Sequence, residues 1–349
     1  MCLAHADPSE QDSALDIINE SGVVDVRKVP LDRDLLERIL AAVPRDDSGR
    51  ATFDALFEGA TFTGAATFGN VNFTGDARFR EANFSSSAEF TEATCTGSSD
   101  FGGATFKGDA EFTRAIFEGD AGFRGATFEG AAEFGNATFK RDAVFGGAIF
   151  EGDAEFTKAI FEGDARFRDA TFHSSAEFGN ATFKRDAVFG DATFKGAAKF
   201  RGATFTGRAR FGDTTFGGSA GFGDATFEGA ARFSAATFTG AAVFTRATFE
   251  GVAVFGDATF ERVAEFGRTQ FEQARKFGPL LAHLQLVLDD TQFAQQVQIE
   301  ASVAELNCRR ARFPAGVQFR LRRAQVTLDD TDFSAPSLLT GIPQLSSEN

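Results

Sequence analysis

The sequence predicts an all-β solenoid, and three observations carry that prediction. From Phe57 to Phe277 a phenylalanine recurs at alternating steps of five and six residues (Phe57, Phe62, Phe68, Phe73, Phe79, Phe84, Phe90), a file broken only at Cys95. An alanine stands two residues before almost every one of these positions, as in Ala60-Thr61-Phe62, Ala104-Thr105-Phe106 and Ala132-Glu133-Phe134. Between the units lie Gly, Asp and Asn, as in Gly119-Asp120, Gly135-Asn136 and Gly163-Asp164.

Residues two apart on an extended strand share a face, so Ala and Phe of each unit point inward and the residue between them points outward. A helix would need apolar residues three and four apart, which steps of five and six do not supply. Gly and Asn accept the positive φ of a tight corner. A strand so short cannot bury its own apolar face, and stacking coil upon coil is the remedy.

One step of five and one of six make an 11-residue period, but the outward residue points to a coil of twice that length. Glu89, Glu111, Glu133, Glu155, Glu177 and Glu265 share one phase, while Arg78, Asp100, Gly122, Val144, Arg166, Val188, Arg210, Arg232 and Val254 occupy the other. The stretch Phe106 to Gly146 also recurs closely as Phe150 to Gly190. A four-sided, 22-residue coil with one Ala-x-Phe per side follows; a two-sided, 11-residue coil is the alternative. Coils about 4.8 Å apart would let equivalent rings lie one above the next.

Successive units such as Ala115-Ile116-Phe117-Glu118-Gly119 and Ala126-Thr127-Phe128-Glu129-Gly130 resemble the pentapeptide-repeat family in its Phe-centred form. That resemblance implies a right-handed quadrilateral β-helix with the Phe and the small residue before it packed inside. The sequence departs from a strict five-residue repeat, since every second corner carries one extra residue, as in Phe117-Glu118-Gly119-Asp120-Ala121.

Taken in order, residues 1–50 read as an N-terminal cap. Leu35, Leu36, Ile39, Leu40 and Val43 recur at helical spacing, predicting a helix over about 34–43 with Asp34 and Glu37 as a capping box. Val23-Val24-Asp25-Val26 reads as a strand and Ser13 to Asn19 as a weaker helical turn. Residues 51–277 form the regular repeat, about ten 22-residue coils. Residues 278–340 read as degenerate 20-residue coils, because Leu288 and Phe293 are echoed by Cys308 and Phe313 and again by Leu328 and Phe333. Residues 341–349 read as a tail.

No catalytic constellation can be assembled. The three histidines, His5, His173 and His283, are scattered, no phosphate-binding loop is present, and Cys2 with His5 is at most half a metal site. A non-enzymatic chain without cofactors or bound metal is therefore expected. Cys95 and Cys308 fall in core positions, and no cysteine spacing suggests a disulfide framework, which fits a reducing, cytoplasmic setting. No apolar run has the length of a membrane span, so no membrane partner is expected.

Charge singles out the candidate surfaces. The net charge is −15, but residues 51–164 carry 19 acids against 8 bases while 165–277 carry 12 against 15. Glu89, Glu111, Glu133, Glu155 and Glu177 form a file of carboxylates. Because some members of the family it resembles imitate duplex DNA and bind gyrase, a DNA-mimic modulator of a topoisomerase or another DNA-binding enzyme is the alternative to the leading reading, a rod-like protein-interaction or scaffold protein. Arg309, Arg310, Arg312, Arg320, Arg322 and Arg323 form a second candidate, suited to an acidic protein, to the acidic half of another copy or, least expected, to nucleic acid directly. Outward threonines (Thr171, Thr182, Thr193, Thr204) lack the paired Thr-x-Thr columns of ice-binding solenoids. The C-terminal end has no evident helical cap, so self-association there is a further expectation.

Overall fold

The computed structural model describes residues 7–341; Cys2, His5 and all but the first residue of the expected tail lie outside them. The chain divides into two compact units, Met1–Glu177 and Phe178–Asn349. Each is a parallel β-solenoid.

In the first unit, helix α1 spans Pro8–Ser21 and helix α2 spans Arg33–Ala42. The first is longer than the turn expected at Ser13 to Asn19, and its start explains why. Asp7 accepts the backbone N–H groups of Ser9 and Glu10, Glu10 accepts the N–H of Asp7 in return, proline occupies the first turn, and Gly22 closes the helix at φ 65°. The expected capping box of α2 is corrected: Asp32 is the cap, accepting the Leu35 N–H at 2.8 Å, and Glu37 instead pairs with Arg33. Leu35, Leu36 and Ile39 are buried. Val23–Asp25 pairs with Thr52–Leu56 and Pro30–Leu31 with Thr61–Phe62, so the N-terminal segment adds two strands to the solenoid.

Strand register decides the coil. Thr105–Phe106 lies between Asn83–Phe84 and Thr127–Phe128, Ala110–Glu111 between Ala88–Glu89 and Ala132–Glu133, Ile116–Phe117 beside Thr138–Phe139, and Ala121–Gly122 beside Ala143–Val144. Every pair, such as Thr105↔Thr127, has a 22-residue offset, and each coil contributes four strands. The 11-residue alternative is excluded.

Two kinds of corner alternate. The tight one, Phe101-Gly102-Gly103-Ala104, is closed by the Ala104 N–H donating to the Phe101 carbonyl at 3.0 Å, and its third residue has φ 65°. This is a type II turn, and Arg114 and Asn136 take the same left-handed conformation at later corners. The wide corner holds the extra residue and the Gly-Asp pairs. A Cβ on Gly130 would come 2.6 Å from the backbone of Gly108 one coil before. The aspartates accept amide protons from the following coil, Asp109 from Ala131 at 2.9 Å and Asp142 from Asp164 at 3.0 Å.

Inside, the alanines and phenylalanines of the repeat are buried. Equivalent rings stack nearly parallel, Phe106 on Phe128 at 4.8 Å and Phe128 on Phe150 at 4.9 Å. Rings half a coil apart meet edge to face, as Phe101 and Phe112 do at 5.4 Å. Both arrangements suit the aromatic quadrupole. Cys95 takes a ring position, in register with Phe73 and Phe117.

The second unit is built on the same 22-residue coil, with Thr193, Thr215, Thr237 and Thr259 in one outward file. Where Thr214, Thr269 and Thr291 replace the inward alanine, each buried hydroxyl donates to a carbonyl of the preceding coil, that of Phe189, Phe244 or Phe266. Near Gly278 the coil changes. Lys276–Val287 pairs with Val297–Asn307 at offsets that fall from 22 (Lys276↔Gln298) through 21 (Leu280↔Ala301) to 20 (Gln285↔Glu305) across two register shifts. Thereafter the offset stays at 20, as in Val297↔Val317 and Gln318↔Leu338.

Candidate interaction surfaces

The five glutamates of the first unit stand on one face of consecutive coils. Glu89, Glu111, Glu133, Glu155 and Glu177 follow one another in direct register. Their backbone is fixed by coil-to-coil bonds, Phe90, Phe112, Phe134 and Phe156 donating to the carbonyls of the glutamates one coil on, at 2.6 to 2.7 Å. Among the described residues Glu89, Glu111, Glu133 and Glu155 have no ion-pair partner, and Glu177 is 3.4 Å from the Ser175 hydroxyl. Partial burial, and then the charges of Glu111, Glu155 and Asp109, raise the pKa of Glu133 above the usual carboxylate range. Like charges directly opposite on neighbouring strands are unfavourable by a few tenths of a kcal/mol or more. The folded ladder thus bears its own repulsion.

Many other acids of this unit behave differently. Asp76, Asp109, Asp120, Asp142 and Asp153 each accept a backbone amide from the next coil's corner. Glu92 pairs with Arg114, Glu118 with Lys140, and Asp142 and Asp164 with Arg166. His173 Nδ1 lies 2.6 Å from Glu151. Much of the acidity that the composition records is therefore corner chemistry.

The six arginines near the C-terminus do not converge on one patch. Arg309 and Arg310 lie at one corner of the 20-residue coils and Arg312 in the bridge just after it, whereas Arg320 and Arg322 lie on the strand Val317–Arg322 and Arg323 in the turn after it. Acids of neighbouring coils occupy several of them: Arg310 grips Asp290 with two bonds of 2.8 and 2.9 Å, Arg309 faces Asp329 at 3.5 Å, and Arg320 reaches Glu300 at 3.2 Å. Arg268, Asp290, Arg310 and Asp330 share the left-handed corner position and line one groove with Gln270, Gln292, Arg312 and Asp332. The signs alternate down this corner, and the bonds from Arg310 hold the Asp290 carboxyl below its usual range. Sequence reading missed the pairing because the partners lie a whole coil apart along the chain.

Cys95 and Cys308 are both buried, and burial pushes the Cys95 thiol up to about 12 and Cys308 up as well. At neutral pH neither is a thiolate, so neither is placed to act as a nucleophile. Among the described residues no group of three or more His, Cys, Asp or Glu could hold a metal ion, and no helix is long and apolar enough to cross a membrane.

The fold and its faces define a repeat protein whose surface is organised in files. A family model described as pentapeptide repeats (9 copies) matches residues 50–94, 79–127, 90–138, 112–160, 156–204, 191–237 and 233–275. The chain belongs to the pentapeptide-repeat family. No match was found among curated proteins or among solved structures.

Proposed function

We propose that the protein is a non-enzymatic interaction or scaffold protein whose glutamate ladder docks on a basic protein surface. One observation carries this reading: Glu89, Glu111, Glu133 and Glu155 are held in register without counter-ions among the described residues, while neighbouring acids such as Asp109, Asp153, Glu92 and Glu118 are held by corner amides or by Arg and Lys. A basic partner would relieve the repulsion that the free chain bears, and such complementarity raises association rates and fixes register.

A second reading, mimicry of DNA toward a topoisomerase or another DNA-binding enzyme, rests on the same in-register carboxylates. Charge density places it second. One carboxylate per coil is one charge per about 4.8 Å, against one per about 1.7 Å of duplex DNA.

The test is an affinity pull-down from host lysate with the wild-type chain and a variant carrying Glu89→Lys, Glu111→Lys, Glu133→Lys, Glu155→Lys and Glu177→Lys. A basic partner retained by the wild type and lost by the variant is expected. A partner that binds both equally rejects the ladder as the docking face. If the lost partner is a DNA-processing enzyme, inhibition of DNA supercoiling by the wild type alone would favour mimicry.

A further inference from the structure

The second unit carries an outward face of the opposite sign. Register sets Val188, Arg210, Arg232 and Val254 in one file. Val252 and Val254 form the apolar lining of a groove whose remaining walls include Gln273, Arg275 and Lys276. Val252 is 45% exposed, and Arg232, Arg275 and Lys276 are exposed as well. Arg210 is 3.0 Å from Asp186, but Arg232, Arg275 and Lys276 have no ion-pair partner among the described residues. This unit therefore presents uncompensated cations beside an apolar strip.

We propose that this basic face docks on the Glu89–Glu177 ladder of a second copy of the chain. Sign is the first reason: Glu89, Glu111, Glu133 and Glu155 on one side and Arg232, Arg275 and Lys276 on the other have no ion-pair partner among the described residues. Repeat distance is the second. Both files are built on the same 22-residue coil, so both advance by about 4.8 Å per coil. Arg210 and Arg232 stand one coil apart in register, so these cations can meet carboxylates on two neighbouring rungs of the ladder, whereas a surface with another repeat would meet it at one point. Exposed ion pairs are individually weak and are screened within about 10 Å at 0.1 M salt and about 3 Å at 1 M. The association is accordingly weak, additive along the file and salt-dependent. It needs no foreign partner, so it stands or falls separately from the pull-down above.

Sedimentation of the purified full chain, at about 50 mM and about 500 mM NaCl, tests this with two charge-reversed variants. One carries Glu111→Lys, Glu133→Lys and Glu155→Lys; the other carries Arg232→Glu, Arg275→Glu and Lys276→Glu. Wild type is expected to associate at low salt, with an apparent dissociation constant about tenfold or more weaker at high salt. Each variant alone is expected to remain monomeric, and an equimolar mixture of the two to associate again, because each then offers the face the other has lost. A monomeric wild type at low salt, or a mixture that stays monomeric while both variants keep the wild-type circular dichroism, overturns the proposal. So does association that ignores salt and both variants, which would point instead to the exposed Phe333, Leu338 and Leu339 near the C-terminus. Should a lysine variant fail to fold, Glu111→Gln, Glu133→Gln and Glu155→Gln must weaken wild-type association by themselves, and an unchanged constant rejects the model.

Discussion

Within the second unit, the 22-residue coils and the 20-residue coils occupy the same four inward positions with different side chains. One file runs Phe238, Phe260, Ala282, Val303, and another places Ile299 between Phe277 and Phe319. A third keeps its rings, Phe271 over Phe293 at 4.6 Å and Phe293 over Phe313 at 5.6 Å. In the remaining position Leu288 and Cys308 are buried. The coil that includes Phe293, Ile299, Val303 and Cys308 thus has one ring where the regular coil has four, and its circumference is two residues shorter. Interiors are close-packed, so a smaller filling requires a smaller wall. Coil length follows interior volume, and the two register shifts between Phe277 and Gln285 are where the wall contracts.

The largest expected effect tests the ring-filled coils. Phe238 stacks at 4.7 Å on both Phe216 and Phe260, and Phe238→Ala should cost about 3–5 kcal/mol in chemical denaturation. Next comes the reverse experiment in the short coil: Val303 is 2% exposed, and Val303→Phe should cost about 1–3 kcal/mol because the shorter wall has no room for a ring. Unchanged stability there would break the link between filling and length.

Smaller effects separate what the two coil types share. The left-handed corner persists in both, with Ala235 at φ 55° and Arg310 at φ 54°. Ala235→Gly should gain about 0.5–1 kcal/mol, read as a raised denaturation midpoint. Surface charge gives the smallest terms, with opposite pH signs. Asp290, held below its ordinary 3.8 by Arg310, contributes stability above that pH and loses it as the pH falls through its lowered value. Asp290→Asn should therefore lower stability by about 0.2–1 kcal/mol at neutral pH, with the deficit fading in acid. Glu133 is raised above its ordinary 4.5, so the folded chain binds this proton more tightly and stability declines as pH rises from 4.5 through the raised value. Glu133→Gln should be more stable than wild type by a few tenths of a kcal/mol at neutral pH, with the advantage shrinking as the pH approaches 4.5. Parallel melting curves across this range check both.

Whatever repeats was legible in the chain alone. Ala-x-Phe at a fixed period states which side chains enter the core, because it recurs at every turn; the alternation of Glu with Arg, Gly and Val points to the 22-residue coil, which strand register then decided against the 11-residue alternative. Features that depend on a neighbour one coil away emerged only with the stacked coils. Asp109 as an acceptor for Ala131, Arg310 as the partner of Asp290, and the cations left without ion pairs around Val252 and Val254 belong here. So does the contraction from the 22-residue to the 20-residue coil, spread over two small irregularities in one long strand. The cap of α2 was misplaced by two residues for a local version of the same reason, since Asp32 and Asp34 are chemically alike and only backbone geometry chooses between them. Periodic patterns encode which face a residue occupies; which charge finds a partner depends on distances that arise only when coils stack.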